Sequence, residues 1–339
     1  GVEIAVFYPT GGTSEIQRLQ MATQEGANVA VYAVRGNFDD AQTGVKKVFG
    51  DKAIAARLAE RNIRLSSANS INVGRLVPQV VYYFDAYRQL VEANEVEQGA
   101  KVDFCVPTGN FGDVLAGYYA YRMGLPVRHF IVASNANNVL TDFLTTGVYD
   151  RNRPFMKTIT PSMDILISSN LERMLYYASE GDTALIARLM ENLRNEGVFR
   201  VEGEMLERIR SLFKCGWADD AETSAMIREA WRKDGRLVDP HTAVALKVAR
   251  ERADRSVPCM VLSTASPFKF CRDVYIALTG RPLEGDPDGF AYMDALSGLT
   301  SENAPAPLAG LRSMPVLHKA VVRPEGMADF IRAAVARAF

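Results

Sequence analysis

Val102-Asp103-Phe104-Cys105-Val106, then Pro107-Thr108-Gly109-Asn110-Phe111-Gly112-Asp113, then a helical pattern through Met123 stopped by Gly124, then Val127-Arg128-His129-Phe130-Ile131-Val132-Ala133 decides the fold class. Two short apolar runs flank a segment of helical periodicity, and the loop before it carries glycine. That is one complete βαβ unit, so the two strands are expected to run parallel. Upstream the alternation continues. Ile4 to Tyr8 reads as a strand, Pro9 to Ser14 as a loop with Ser14 as helix cap, and Glu15 to Glu25 as a helix ended by Gly26. Asn28 to Val34 reads as a strand, Asp39 to Val48 and Lys52 to Arg61 as helical, and Ile63 to Leu65 as a third short strand. Val73 to Glu95 is a long helical pattern with Pro78 in its first turns. Downstream, 162–250 carries amphipathic spacing such as Leu185, Leu189 and Leu193, and reads as an all-helical insertion. Cys259 to Leu262 is a last strand, and Gly280 to Gly289 a surface loop. The expected fold is α/β, with open, mostly parallel sheets and flanking helices.

Composition narrows the function. The 339 residues are 48% hydrophobic, with 39 Lys+Arg against 40 Asp+Glu and a net charge of −1. Phosphate-backbone binding needs a basic excess, so no nucleic-acid partner is expected. No uncharged apolar run approaches the ~18–20 residues of a membrane helix, and no basic-then-apolar leader opens the chain. No membrane partner and a cytoplasmic location are therefore expected. Cys105, Cys215, Cys259 and Cys271 lack CxxC spacing and His129, His241 and His318 stand apart. Neither a metal site nor a disulfide framework is expected from that pattern.

Three segments carry chemistry. The Pro107–Asp113 loop joins a buried strand to a helix, where backbone N–H groups and the positive helix end suit a phosphate, with Gly109 and Gly112 letting it approach closely. It is neither GxGxxG nor followed by GK[ST], which favours a small cofactor phosphate over a dinucleotide or ATP. Leu262-Ser263-Thr264-Ala265-Ser266-Pro267-Phe268-Lys269 leaves the last strand at the sheet end where ligands sit, although a plain helix cap accounts for it equally. Ser266-x-x-Lys269 also fits the nucleophile motif of penicillin-binding enzymes, but the companion Ser-Asp-Asn and Lys-Thr-Gly elements are absent. Ser66 to Arg75 crowds amides and hydroxyls before the long helix, which suits a substrate carboxylate or phosphate as well as capping.

Together with Phe7-Tyr8-Pro9-Thr10-Gly11-Gly12-Thr13-Ser14, Leu65 to Asn72, Asp239-Pro240-His241-Thr242-Ala243 and Ser263-Thr264-Ala265, the 107–113 loop resembles threonine synthase in order and spacing from Val2 to about Ile276. The resemblance implies the fold-type II architecture of pyridoxal-phosphate enzymes, like the tryptophan synthase β chain, and conversion of O-phospho-L-homoserine and water to L-threonine and phosphate. It implies that Gly109, Asn110, Phe111, Gly112 and Asp113 cradle the phosphate of pyridoxal 5'-phosphate. It further implies that Thr264 bonds the pyridine nitrogen and that Asn69, Ser70, Asn72 and Arg75 meet the substrate. Asp113, negative beside a phosphate, is expected to complement the helix dipole instead. The parts implied are a smaller, incomplete α/β part over 1–68 and a large cofactor-phosphate part over 69–339.

One departure qualifies this. The family holds its cofactor on a lysine in a Pro-Thr-x-x-x-Lys-Asp type motif, followed by a Ser-Gly-Asp-Thr-Gly type substrate loop, and none of the ten lysines here has such flanks. The chain reads as a threonine synthase without its N-terminal part, hence without its catalytic lysine and inactive alone. The alternatives are another fold-type II enzyme, of dehydratase or cysteine synthase type, and a non-catalytic phosphate-binding α/β module. Oligomeric state is not legible.

Overall fold

The computed structural model describes residues 1–70 and 72–329. Ile71, one of the motif residues above, lies outside the described residues. The strands are β1 (Ile4–Pro9), β2 (Val29–Val34), β3 (Val102–Pro107), β4 (Val127–Ser134), β5 (Val148–Asp150), β6 (Val198–Arg200), β7 (Phe213–Trp217), β8 (Cys259–Val261) and β9 (Val321–Val322). They fall into two compact units, one of Gly1–Ser66 with the described residues from Ser266 on, the other Ser67–Ala265.

In the continuous unit, β7, β4, β3 and β8 form a four-stranded sheet in that order, every pair parallel. Strand alternation sorts its two faces. Phe104, Val106, Phe130 and Val132 face one core with Leu76, Tyr83 and Leu115, whereas Cys105, Ile131 and Ala133 face another with Val244, Ala245 and Val248. Helices thus cover both faces, as a buried parallel sheet requires. Close packing on the first face depends on Gly117, where a Cβ would stand 2.5 Å from Tyr83 Cε1 and 2.7 Å from Phe130 Cε1.

The order of strands builds the site. From β3 the chain moves outward through β4 to β7, then returns to the opposite side of β3 as β8. At such a reversal, the loops leaving adjacent strands part and open a crevice at their carboxyl ends. The two loops that diverge here are 107–113 and 262–265, and Leu262 N–H still bonds Cys105 C=O at 3.0 Å where they separate.

The discontinuous unit holds a parallel three-stranded sheet, β1-β2-β9. Ser14 caps the Glu15–Ala22 helix in a reciprocal capping box with Gln17. That helix ends at Ala22, short of the expected Gly26, because the Thr23 hydroxyl bonds Leu19 C=O and caps it.

Three further expectations are corrected. Ile63–Leu65 forms no strand. The 162–250 region is not all helical, since it contains β6, which pairs with β5, and β7, which joins the main sheet beside β4. The residues from Ser266 on do not belong with the larger part, as the 69–339 division supposed. Ala33 N–H bonds Ala320 C=O and Arg35 N–H bonds Val322 C=O, both at 2.9 Å, which ties β9 into the first sheet.

Candidate functional site

The strand-to-helix turn after β3 is set by Phe111. Its backbone is left-handed at φ 63° and its ring is fully buried against Phe213. A bulky residue rarely takes that conformation, and burying the ring offsets the strain. The Gly112–Arg122 helix begins immediately after, with no side-chain cap from Phe111 itself. Asn110 Oδ1 takes the Gly112 N–H at 2.9 Å. The N–H groups of Gly109, Asn110, Phe111 and Asp113 have no partner among the described residues. Several convergent open donors at the positive end of a helix make a receptor for an oxyanion.

The turn is braced from behind by residues that no sequence motif singled out. Ser168 Oγ donates to Gly109 C=O at 2.9 Å, and Asn170 donates to Asn110 C=O through both its backbone N–H and Nδ2 at 3.0 Å. A Cβ on Gly109 would reach within 3.1 Å of Met163 Cα, so the glycine serves a close approach of the 162–163 backbone as well as of a ligand. Ser162 N–H in turn donates to His241 Nε2 at 3.3 Å. An N–H can only donate, so Nε2 accepts, and the proton lies on Nδ1, 2.9 Å from Asp239 Oδ1. Asp239 also caps the Pro240–Arg252 helix and accepts from Thr242, whose hydroxyl lies 3.3 Å from Ser263 Oγ. The Asp239–Ala243 motif thus positions both diverging loops.

The candidate substrate residues divide. Ser70 reaches the turn: Asn170 Nδ2 donates to its Oγ at 2.9 Å, and Arg173 Nη1 to its C=O at 2.6 Å. Asn72 is the cap of the Val73–Glu92 helix, taking the Gly74 N–H at 3.0 Å, while its Nδ2 donates to Ser67 C=O. Asn69 C=O accepts the Asn72 N–H, and Arg75 is exposed in the first helical turn. Ser67 Oγ is buried with no partner among the described residues, so a donor and acceptor remains open in the same loop.

Thr264 is exposed, and its hydroxyl has no partner among the described residues. Capping does not explain it, because Ser266 caps the Pro267–Phe270 turn through the Phe268 N–H.

A buried polar cluster lies at the exit of β4. Buried Asn135 donates through Nδ2 to Thr158, Thr160 and Asp164, and Asn137 Nδ2 donates to Asp164 Oδ1 at 3.0 Å. Burial raises the Asp164 carboxyl above its ordinary range, opposed by the Thr158 and Asn135 hydrogen bonds. The run Ser134-Asn135-Ala136-Asn137-Asn138 at a strand exit was the available sequence signal for this cluster.

Asp113 has a role beyond the helix dipole. It sits in the first turn, but its carboxylate takes the Tyr83 hydroxyl at 3.0 Å, and the same hydroxyl lies 2.8 Å from Asp113 C=O. Burial raises its pKa to about 6, partly opposed by the Tyr83 hydrogen bond. A carboxyl whose pKa is raised in the folded state binds its proton more tightly there, so folding loses stability as pH rises from about 4 through about 6. Asp113→Asn removes that titration. Urea unfolding at pH 4.5 and pH 7 is expected to show the wild type losing on the order of 1–3 kcal/mol more than the variant across this interval. Parallel losses in both proteins would exclude Asp113 as the titrating group.

Known proteins resemble this chain in sequence and in fold. The family described as "Threonine synthase, C-terminal" matches residues 242–322. Threonine synthase of Pseudomonas aeruginosa is 41% identical over 270 residues, covering 79% of this chain and 55% of that protein. Human threonine synthase-like 1 is 40% identical over 323 residues, covering 95% of this chain and 42% of that protein. Among solved structures, pyridoxal-phosphate-bound threonine synthase from Brucella melitensis superposes with a TM-score of 0.79 at 38% identity, covering 98% of this chain and 65% of that one. The yeast enzyme gives 0.79 at 32% identity, covering 99% and 65%. The chain therefore spans between two fifths and two thirds of the length of these relatives. By sequence identity over most of its length and by superposition over nearly all of it, the chain belongs to the threonine synthase family.

Proposed function

We propose that this chain supplies the cofactor-phosphate site and part of the substrate site of a pyridoxal-phosphate-dependent threonine synthase acting on O-phospho-L-homoserine. The observation that carries this is the set of open N–H groups at Gly109, Asn110, Phe111 and Asp113, at the carboxyl end of β3 beside the diverging β8 loop. In this reading those donors and Gly112 hold the cofactor phosphate, and the partnerless Thr264 hydroxyl faces the pyridine nitrogen. A neutral hydroxyl there leaves the ring's protonation unenforced, unlike a carboxylate. Ser70, with Asn69, Asn72 and Arg75, meets the substrate's anionic groups. When bound, the cofactor supplies an electron sink that stabilises negative charge on the substrate carbons. The chain's own contribution is positional: Asn170 and Ser168 hold the turn's carbonyls back so that its N–H groups point outward, and the Asp239–His241 pair fixes Ser162 behind Gly109.

Crystals grown with phosphate, sulfate or pyridoxal phosphate are expected to show an anion oxygen about 3 Å from these N–H groups. Gly112→Val should abolish it, since a Cβ there meets Asn110 Oδ1 at 2.9 Å and displaces the side chain that shapes the turn. Anions occupying other sites repeatedly and never this turn would overturn the assignment. A second reading, a phosphate-binding module without catalysis, is favoured by the absence of any lysine in the family's motif.

A further inference from the structure

The loop Pro9–Ser14, part of the motif pattern yet unused by the site above, borders a cavity of about 530 Å³ wholly within the discontinuous unit. Tyr8, Ala33 and Val321 form its floor. They occupy one rung across β1, β2 and β9, so their side chains share a face of the sheet. Thr10, Gly11 and Thr13 line it from the loop, Arg18 from the Glu15–Ala22 helix, and His318 and Lys319 from the segment before β9.

Tyr8 is the informative residue. It is only 8% exposed, yet its hydroxyl has no hydrogen-bond partner among the described residues. Tyr83, Tyr87 and Tyr149 bond theirs at Asp113, Ala100 C=O and Leu166 C=O, whereas Tyr118 and Tyr292, as deeply buried, leave theirs open among the described residues. The part of Tyr8 left exposed lines the cavity, so its open hydroxyl is available there to a ligand atom. The charges around it select that ligand. Arg18 and Lys319 have no ion-pair partner among the described residues. The single lining carboxylate, Glu15, already accepts the Gly289 N–H. His318 is turned to Gln24 C=O through Nε2. The N-terminal end of the Glu15–Ala22 helix adds its positive dipole.

We propose that this cavity binds a small oxyanion, a phosphorylated or carboxylated metabolite, through the Tyr8 hydroxyl, Arg18 and Lys319, independently of the Gly109–Asp113 turn. Its volume lies in the range of small-molecule sites rather than of a single ion. The test is residue-resolved amide NMR of the whole chain, titrated separately with inorganic phosphate and with citrate at constant ionic strength. Saturable shifts are expected at Thr10, Gly11, Thr13 and Lys319. Tyr8→Phe, which keeps the ring packing, should weaken binding about three- to tenfold, and Arg18→Gln with Lys319→Gln by more than about tenfold. Gly112→Val should leave these shifts unchanged, which separates this cavity from the cofactor turn. Tighter binding of phosphate would assign a phosphorylated ligand, and tighter binding of citrate a carboxylated one. Shifts that sodium chloride reproduces, or that survive unaltered in both Tyr8→Phe and the double variant, would overturn the proposal.

Discussion

Incubated with pyridoxal phosphate, reduced with borohydride and digested, the chain is expected to carry no stoichiometric label on any single lysine and to release no phosphate from O-phospho-L-homoserine. The expectation follows from the lysines themselves. Within the site-bearing unit, Lys247 is already committed, its Nζ within 2.8 Å of Trp217 C=O and 3.1 Å of both Glu222 and Glu251. Lys214 lies inside β7, on the far side of β4 from β3. Lys269 belongs with the other unit, where its C=O accepts the Ser14 hydroxyl. Lysine chemistry of this kind needs an amine held at the reacting carbon to form the covalent link and move protons. Scattered substoichiometric labelling is the expected background. Full labelling confined to one lysine, with turnover, would sink the argument, and Lys269 is the residue to watch.

A large effect on stability is expected at Gly117. Gly117→Val places methyl groups where Tyr83 and Phe130 already stand, and neither ring has room to yield. Tyr83 is fixed by its hydroxyl at Asp113 and stacks edge-on against Phe104, while Phe130 is sandwiched by Phe104 and Phe213. Replacing a mid-helix glycine gains up to about 1 kcal/mol in propensity, against overpacking of about 3 kcal/mol or more. Denaturant unfolding should report a net loss of at least about 2 kcal/mol, and the Asp113 titration should weaken as Tyr83 is pushed away. A variant as stable as the wild type would mean the two helices are not held this closely.

What could be read in advance followed from local chemistry. β3 and β4 are legible because a strand buried on both sides carries a near-continuous apolar run, here Phe104 to Val106 and Phe130 to Ala133, and the turn after β3 because glycines and a polar run interrupt it sharply. β7 is not, because Lys214 and Gly216 break its apolar run directly behind a helix that ends at Leu212. β9 is two residues long, too short for any periodicity, yet it decides which unit the last part of the chain joins. At the site, the glycine-bearing turn is legible in its residue types and the roles of Thr264, Asn69, Ser70, Asn72 and Arg75 only through the family resemblance, whereas nothing in the sequence points to Ser168, Asn170 and Arg173. They act from 55 or more positions away through one to three hydrogen bonds each, and no local pattern encodes such a meeting.

The return of β9 to β2 also sets an order of events in making the protein. The site-bearing unit is one unbroken stretch and can close as soon as its last strand, β8, is available. The sheet of the other unit needs β2 and β9, whose paired residues Ala33 and Val321 lie 288 positions apart. Joining ends across so long an interval carries a loop-closure entropy that local contacts must first offset, and domains emerging from the ribosome fold in the order they are completed. Until β9 arrives, β2 has an open edge ready to pair with another molecule. A stalled or clipped product would therefore carry a completed Ser67–Ala265 unit together with an unfinished, association-prone sheet.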